Sequence, residues 1–358
     1  MLVGIVTFHN SYNFGSALQA YALQTAIDGL GHEARIVDYY SENFTNYMLV
    51  TPRHPKQTVR TLLRLPGYLD RKRSFESFWA RHYHLTPEKY TWKDEDRMDA
   101  LQGQFDCFVC GSDQIWNLDA TYGAVGPYFL SFAGNRRRVA YAPSLGHTSF
   151  KPENFDKARV SKFLGKFDTI SVRERETMGL FQPLVDKKIH VAVDPTQLLG
   201  VSAFETMAER RIVDGPYVFM YLLRRCPELV QSTSDMAKRT GAKVAYVSRH
   251  DLPIPNSRNF FGIGPEEFVS LVAHADAVLT NSFHSTVFAL KFHVPLRVFA
   301  TDESASRMRD LLEDLGLESC LSAIVDSSDV ATPDWGRVDE LTDKMARESR
   351  AFLREALA

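Results

Sequence analysis

The residues Asn281, Ser282, Phe283 and His284 follow an apolar run, DAVLT, and precede a helical pattern, so they lie where a strand hands over to a helix. A helix beginning near His284 or Ser285 directs free backbone N–H groups and its positive dipole end at that point, which suits a phosphate or a carboxylate. His284 can donate to such an anion or exchange a proton near neutral pH, with the dipole favouring its neutral form. The competing reading is a histidine that packs at a domain junction. His293, further along the same helical pattern, reads as structural.

Arg173 ends the run TISV, so a permanently charged planar fork is expected to project from a strand end, a position fit for gripping a dianion. A surface arginine paired with Glu174 or Glu176 is the alternative. Arg307 opens a helix whose Leu311, Leu312 and Leu315 form the buried face; a cation in the first turn opposes the dipole, a cost that a bound anion offsets. Asp194, before Pro195, reads as an orienting group for an arginine or as the cap of a turn.

Two loops add polar groups. The segment HNSYNFG places Asn10, Asn13 and Gly15 after the first strand, but it lacks G-x-G-x-x-G and is a weak dinucleotide signal, with Asp38 the sole candidate ribose reader. The segment CGSDQIWN sets Ser112, Asp113, Gln114 and Trp116 on one loop. Amides and carboxylates that pair with hydroxyls, beside an indole face for C–H groups, fit sugar recognition; an ordered turn with Trp116 in the core is the other reading.

Positioning these groups requires short buried strands alternating with amphipathic helices, the pattern of parallel sheets between helices. Strands are expected at 2–8, 33–39, 105–110, 138–143, 169–174 and 189–194, then at 217–223, 243–248, 276–282 and 295–300. Ser16 reads as the cap of the first helix and Gly31 as its stop. The expected organisation is α/β with two Rossmann-like domains facing a cleft: residues 1–205, residues 206–336, and a charged helix over 337–358 packing back across the junction. A helical insertion is expected over about 52–104, basic and aromatic, with RKR at 71–73. It reads as a solvated face or as a contact for an acidic acceptor or membrane headgroups. In open α/β sheets, ligands bind beyond the carboxyl ends of the strands, which singles out the residues named above together with Ser144 and Thr196.

At 358 residues, 44% hydrophobic and 24% charged, the chain is expected to form two ordinary globular domains. With 42 Lys and Arg against 44 Asp and Glu, it has no global attraction to nucleic acid. Four cysteines make no disulfide framework, so a reducing, cytoplasmic setting is expected, compatible with peripheral attachment to the inner face of a membrane. Cys107 and Cys110 form a C-x-x-C inside a strand, where the side chains alternate faces, and no second pair completes a zinc site. No signal peptide, transmembrane run, Walker loop, G-x-S-x-G or H-E-x-x-H pattern is seen.

Taken together, NSYNFGSALQAYALQ at 10–24, VCGSDQIWN at 109–117, AYAPSLG at 140–146, ISVRERET at 170–177, VDPTQLL at 193–199, NSFHSTVFAL at 281–290 and SRMRDLLEDLGL at 306–317 resemble the blocks of the polysaccharide pyruvyl transferase family. The resemblance implies a fold like the GT-B glycosyltransferases. It also implies transfer of the pyruvyl group of phosphoenolpyruvate to a sugar of a cell-surface polysaccharide or its lipid-linked precursor, as a ketal. By motif matching, the donor-gripping arginine falls on Arg173 and the donor segment with its catalytic histidine on Ser282, Phe283 and His284. The family's basic residue is a serine at 282, which leaves the donor's remaining charge to Arg307. Asn10, Asn13, Gly15, Ser112, Asp113, Gln114 and Trp116 are then the acceptor side, with Asp113 a second proton-transfer candidate. No metal or cofactor is expected, because the bond that breaks is C–O and phosphoenolpyruvate itself is the donor substrate. A nucleotide-sugar glycosyltransferase on the same fold and a non-catalytic glycan-binding module are the alternatives.

Overall fold

The computed structural model describes residues 1–42, 64–146, 155–300, 305–322, 330 and 332–358. They form two compact units. The first gathers the described parts of 1–51, 79–199 and 344–358, and the second those of 52–78 and 200–343.

The first unit is built on seven parallel strands in the order β3-β2-β1-β4-β5-β6-β7. These are β1 (Leu2–Val6), β2 (Glu33–Tyr40), β3 (Leu85–Thr91), β4 (Cys107–Cys110), β5 (Arg137–Ala140), β6 (Thr169–Val172) and β7 (Ile189–Val191). The central strands are buried on both faces, as helix-covered parallel strands must be. β1 and β4 pair with Gly4 opposite Phe108, and a Cβ on Gly4 would meet the Phe108 ring at 2.8 Å, so only glycine lets that ring lie across the sheet. Val6, Phe108, Trp116, Phe129, Phe167, Ile170 and Phe181 belong to one continuous core. The strand order turns back between β1 and β4, which makes the carboxyl edge there the topological switch point.

The insertion expected as helical over 52–104 is only partly so. Residues 52–63 lie outside the described residues; a helix spans Leu65–His82; and Leu85–Thr91 is β3, pairing with β2 at the sheet edge. Only Thr86 and Tyr90 of its seven residues are buried, and an edge position tolerates Pro87, so the run LTPEKYT carries no apolar strand signal. The insertion is also divided between the units rather than lying wholly in the first. Arg71 is buried, its guanidinium 5.0 Å from the Phe75 ring and 5.2 Å from the Phe261 ring, and it donates to the Phe261 carbonyl. Its neighbours Lys72 and Arg73 lie beside Glu76 and Asp70. The RKR run is therefore one anchor and two locally compensated surface cations, not a basic patch.

The second unit carries five parallel strands in the order β10-β9-β8-β11-β12. They are β8 (Tyr217–Tyr221), β9 (Lys243–Val247), β10 (Ser257–Asn259), β11 (Ala277–Thr280) and β12 (Leu296–Val298). β10, with the polar sequence SRN, is an edge strand that the apolar pattern does not announce. The helix Ser202–Ala208, which straddles the expected boundary at 205/206, falls in the second unit, where Phe204 meets Phe288 edge-on at 5.0 Å.

The helix Trp335–Leu357 has its residues from Lys344 onward in the first unit. Ala346, Ser349, Leu353, Ala356 and Leu357 are its buried stripe there, spaced three and four residues apart. Arg350 Nε donates to the Leu198 carbonyl at 2.9 Å. Among the described residues no helix is long and apolar enough to cross a membrane.

Candidate functional site

The carboxyl edge of the first sheet is a continuous polar network. After β4, Gly111 has φ +118°, and a Cβ there would lie 2.0 Å from the Tyr141 carbonyl oxygen, so the turn admits only glycine. The chain then reaches Asp113, in left-handed backbone at φ 66°. Its carboxylate accepts from the Ser16 hydroxyl and from the Gln114 N–H. Ser16 is thus a partner of Asp113, and the cap expected of it is made instead by Asn13, whose Oδ1 accepts from Gly15 N and Ser16 N at 2.9 and 3.3 Å. Gln19, on the same helix, Phe14–Asp28, accepts from Ser112 N and donates to Thr7 Oγ1. Ser112 Oγ donates to the Ala142 carbonyl at 2.7 Å.

Arg173 follows β6, but it is no open fork. Its Nε donates to Glu174 Oε1 at 2.9 Å and its Nη1 to Asp194 Oδ2 at 2.8 Å, with the side chain 3% exposed. Two carboxylates occupy two of its nitrogens. Burial on its own would lower the pKa of this group; the charges of Glu174, Asp194 and Asp113 outweigh burial and hold it above the ordinary arginine value. Glu174 also accepts from Ser144 Oγ and Thr177 Oγ1, and Asp194 from the N–H and hydroxyl of Thr196. Asp194 therefore both caps its turn and orients Arg173.

Trp116 does not face a ligand. It is fully buried, stacked on Phe129 at 5.0 Å and 4°, and it donates Nε1–H to the Tyr128 carbonyl. An indole in this core excludes more water than one on the loop surface, which is why the expected sugar plate turns inward. Asn10 donates to the Tyr39 carbonyl at 3.3 Å, and Gln114 accepts from Asn117. Asp38 is held by His9 Nε2 at 2.9 Å, an ion pair that sequence reading did not single out. The signal available was a histidine directly after an apolar strand. Cys107 and Cys110 are buried and unreactive, the former thiol pushed up by burial to about 12.

In the second unit, β11 ends at Thr280. Asn281 takes the Leu223 N–H and donates to the Arg224 carbonyl, tying the end of β11 to the loop after β8. The helix Phe283–Lys291 starts one residue earlier than expected, with Ser282 as its N-cap accepting from Ser285 N at 3.4 Å. His284 is its second residue, 8% exposed, with its ring perpendicular to Phe283 at 5.3 Å. Ser285 Oγ is buried with no hydrogen-bond partner among the described residues. Arg307 is half-buried in the first turn of the helix Ala305–Asp314, which lies against Phe283–Lys291. The structure thus joins Ser112, Asp113 and Arg173 in one network and sets Ser282, Phe283 and His284 in one helical turn. Among the described residues no group of three or more His, Cys, Asp or Glu side chains is placed to hold a metal.

A family model described as polysaccharide pyruvyl transferase matches residues 13–303. No curated protein matches. Among solved structures, the chain is similar to UDP-GlcNAc 2-epimerase from Neisseria meningitidis bound to UDP-GlcNAc (12% identity, TM-score 0.53, 100% of this chain and 99% of that one). It is also similar to HepE of Anabaena in complex with UDP and glucose (12%, 0.55, 100% and 99%). A putative UDP-N-acetylglucosamine 2-epimerase from Listeria monocytogenes is a third (13%, 0.52, 99% and 90%). These likenesses establish the fold as α/β, of the GT-B type, with two Rossmann-like units.

Proposed function

The chain belongs to the polysaccharide pyruvyl transferase family, and from that premise we propose that it moves the pyruvyl group of phosphoenolpyruvate onto two hydroxyls of one sugar in a cell-surface polysaccharide or its lipid-linked precursor. The observation that carries this reading is the first turn of the helix Phe283–Lys291, capped by Ser282 and with His284 in second position. Phosphoenolpyruvate carries a phosphate and a carboxylate. The helix start and Arg307 are proposed to meet part of that charge, with Arg173 carried as the donor-gripping arginine that the family resemblance implies; the Ser285 hydroxyl, with no hydrogen-bond partner among the described residues, is a further polar group at the same turn as His284.

The chemistry needs one proton given and another taken. The methylene carbon of the donor gains a proton while a sugar hydroxyl, losing its own, bonds to the adjacent carbon. The C–O bond to phosphate then breaks, and the second hydroxyl closes the ketal as its proton leaves with the phosphate. His284 is the proposed proton carrier, with Asp113 the second. Asp113 sits with Asn10, Asn13, Gly15, Ser112 and Gln114 at an edge where three carboxylates surround one arginine. The loop groups other than Arg173 are proposed for the acceptor, whose hydroxyls need both donors and acceptors.

The test is incubation of the protein with phosphoenolpyruvate and a pool of glycans and lipid-linked sugars, with phosphate release and the added pyruvyl ketal followed by colorimetry and mass spectrometry. Thermal stabilisation by phosphoenolpyruvate is measured in parallel against nucleotide sugars. Stabilisation by a nucleotide sugar and none by phosphoenolpyruvate would replace this reading with a glycosyltransferase. Stabilisation by a glycan alone, without phosphate release, would leave a binding module.

A further inference from the structure

Two buried hydroxyls hold one residue behind the carboxyl edge of the first sheet. The Val193 N–H donates to Ser349 Oγ at 3.1 Å, and the Tyr141 hydroxyl donates to the Val193 carbonyl at 3.0 Å. Tyr141 is 0% exposed and Ser349 5%, so water cannot readily replace a missing hydroxyl. Burial, reinforced by the charge of Asp194, holds the Tyr141 phenol well above its ordinary pKa and keeps it a donor.

Together they fix both backbone polar groups of the residue that precedes Asp194. Tyr141, in turn, leads into Ala142, whose carbonyl accepts from Ser112 and whose N–H is bound by Ser171. The strand end after β7 is thereby tied both to the strand end after β5 and to a side chain of the helix Trp335–Leu357. Phe352, on that helix, adds ring contacts to Tyr141 at 6.4 Å and to His190 at 5.2 Å.

The geometry points to Ser349 and Tyr141 as positioning residues of the site: through Val193 they set Asp194, and through Asp194 the orientation of Arg173, which makes the C-terminal helix part of donor binding. This rests on the reading of Arg173 as a phosphoenolpyruvate contact. The test compares S349A, S349T, Y141F and the double variant S349A/Y141F in the whole chain. Hydrogen exchange is followed over peptides containing Val193 and Asp194, together with KM and kcat for phosphoenolpyruvate in phosphate release.

S349A is expected to speed exchange at Val193 and to raise KM roughly tenfold, the size of one lost buried hydrogen bond, while kcat changes by less than about threefold. S349T restores both, and the double variant costs less than the sum of the single ones, because the two hydroxyls hold the same residue. Unchanged exchange in S349A, failure of S349T to restore it, additive single effects, or a uniform rise in exchange across the unit would each overturn the proposal. If the unaltered protein releases no phosphate from phosphoenolpyruvate, the functional reading falls instead, and exchange together with a thermal double-mutant cycle still decides whether the two hydroxyls set Asp194.

Discussion

Arg173 Nη1 lies 2.8 Å from Asp194 Oδ2, both side chains essentially buried, so the residue assigned to the donor is held from behind by a carboxylate. Replacing it by lysine keeps the charge but cannot keep bonds to Glu174 and Asp194 while also reaching a ligand. Arg173→Lys is expected to weaken phosphoenolpyruvate binding roughly 10- to 100-fold, read by calorimetry or thermal shift. Asp194→Asn removes one charge from this buried set and is expected to cost about 3–5 kcal/mol of folding stability. Unaltered donor affinity in Arg173→Lys would reduce Arg173 to a structural ion-pair partner.

His284→Asn tests proton transfer. The asparagine keeps a polar group in the second position of the helix and leaves the Ser282 cap in place, but it cannot exchange a proton near neutral pH. Turnover is expected to fall roughly 10²- to 10⁴-fold, with donor-induced stabilisation largely preserved. The reverse pattern, near-full turnover with lost donor affinity, would assign His284 to binding and move the proton to Asp113.

Trp116 separates a core role from an acceptor role. Trp116→Ala is expected to destabilise the first unit by about 3–5 kcal/mol. Trp116→Phe keeps the stack on Phe129, loses the hydrogen bond to Tyr128 and is expected to leave acceptor KM unchanged. A selective rise in acceptor KM at normal stability would return the indole to the ligand.

The cysteines give a pH test. Burial raises Cys107 to about 12 and Cys320 to about 11 from a reference of 9.0. A group with its folded pKa raised contributes stability that is complete below the unfolded pKa and is lost as pH rises through the folded one. Chemical denaturation midpoints are therefore expected to decline from about pH 9 upward. Native protein should resist iodoacetamide under mildly alkaline conditions, while the unfolded chain reacts at all four cysteines.

The positions of Asp113, Arg173 and His284 beyond strand ends were legible in the sequence because each follows an apolar strand, the first two in the first sheet and the third in the second. Which way a side chain then turns was not legible. Trp116 shares a loop with Asp113, yet the indole enters the core and the carboxylate remains in the polar network; loop composition is the same for either outcome. β3 and β10 escaped because edge strands need no apolar run. Pairing of Arg173 with the adjacent Glu174 stood as one of two readings, but its bond to Asp194, 21 residues on, exists only once β6 and β7 are paired, and the bond of Val193 to Ser349, 156 residues apart, has no local signature at all.

That separation sets an order of events during synthesis. Elongation at roughly 5–20 residues per second puts Ser349 on the order of ten seconds or more behind Val193, and the second unit is made in the interval. The first unit therefore cannot be completed by its amino-terminal residues alone: the Val193 N–H lacks its Ser349 partner until the residues of the second unit have been translated.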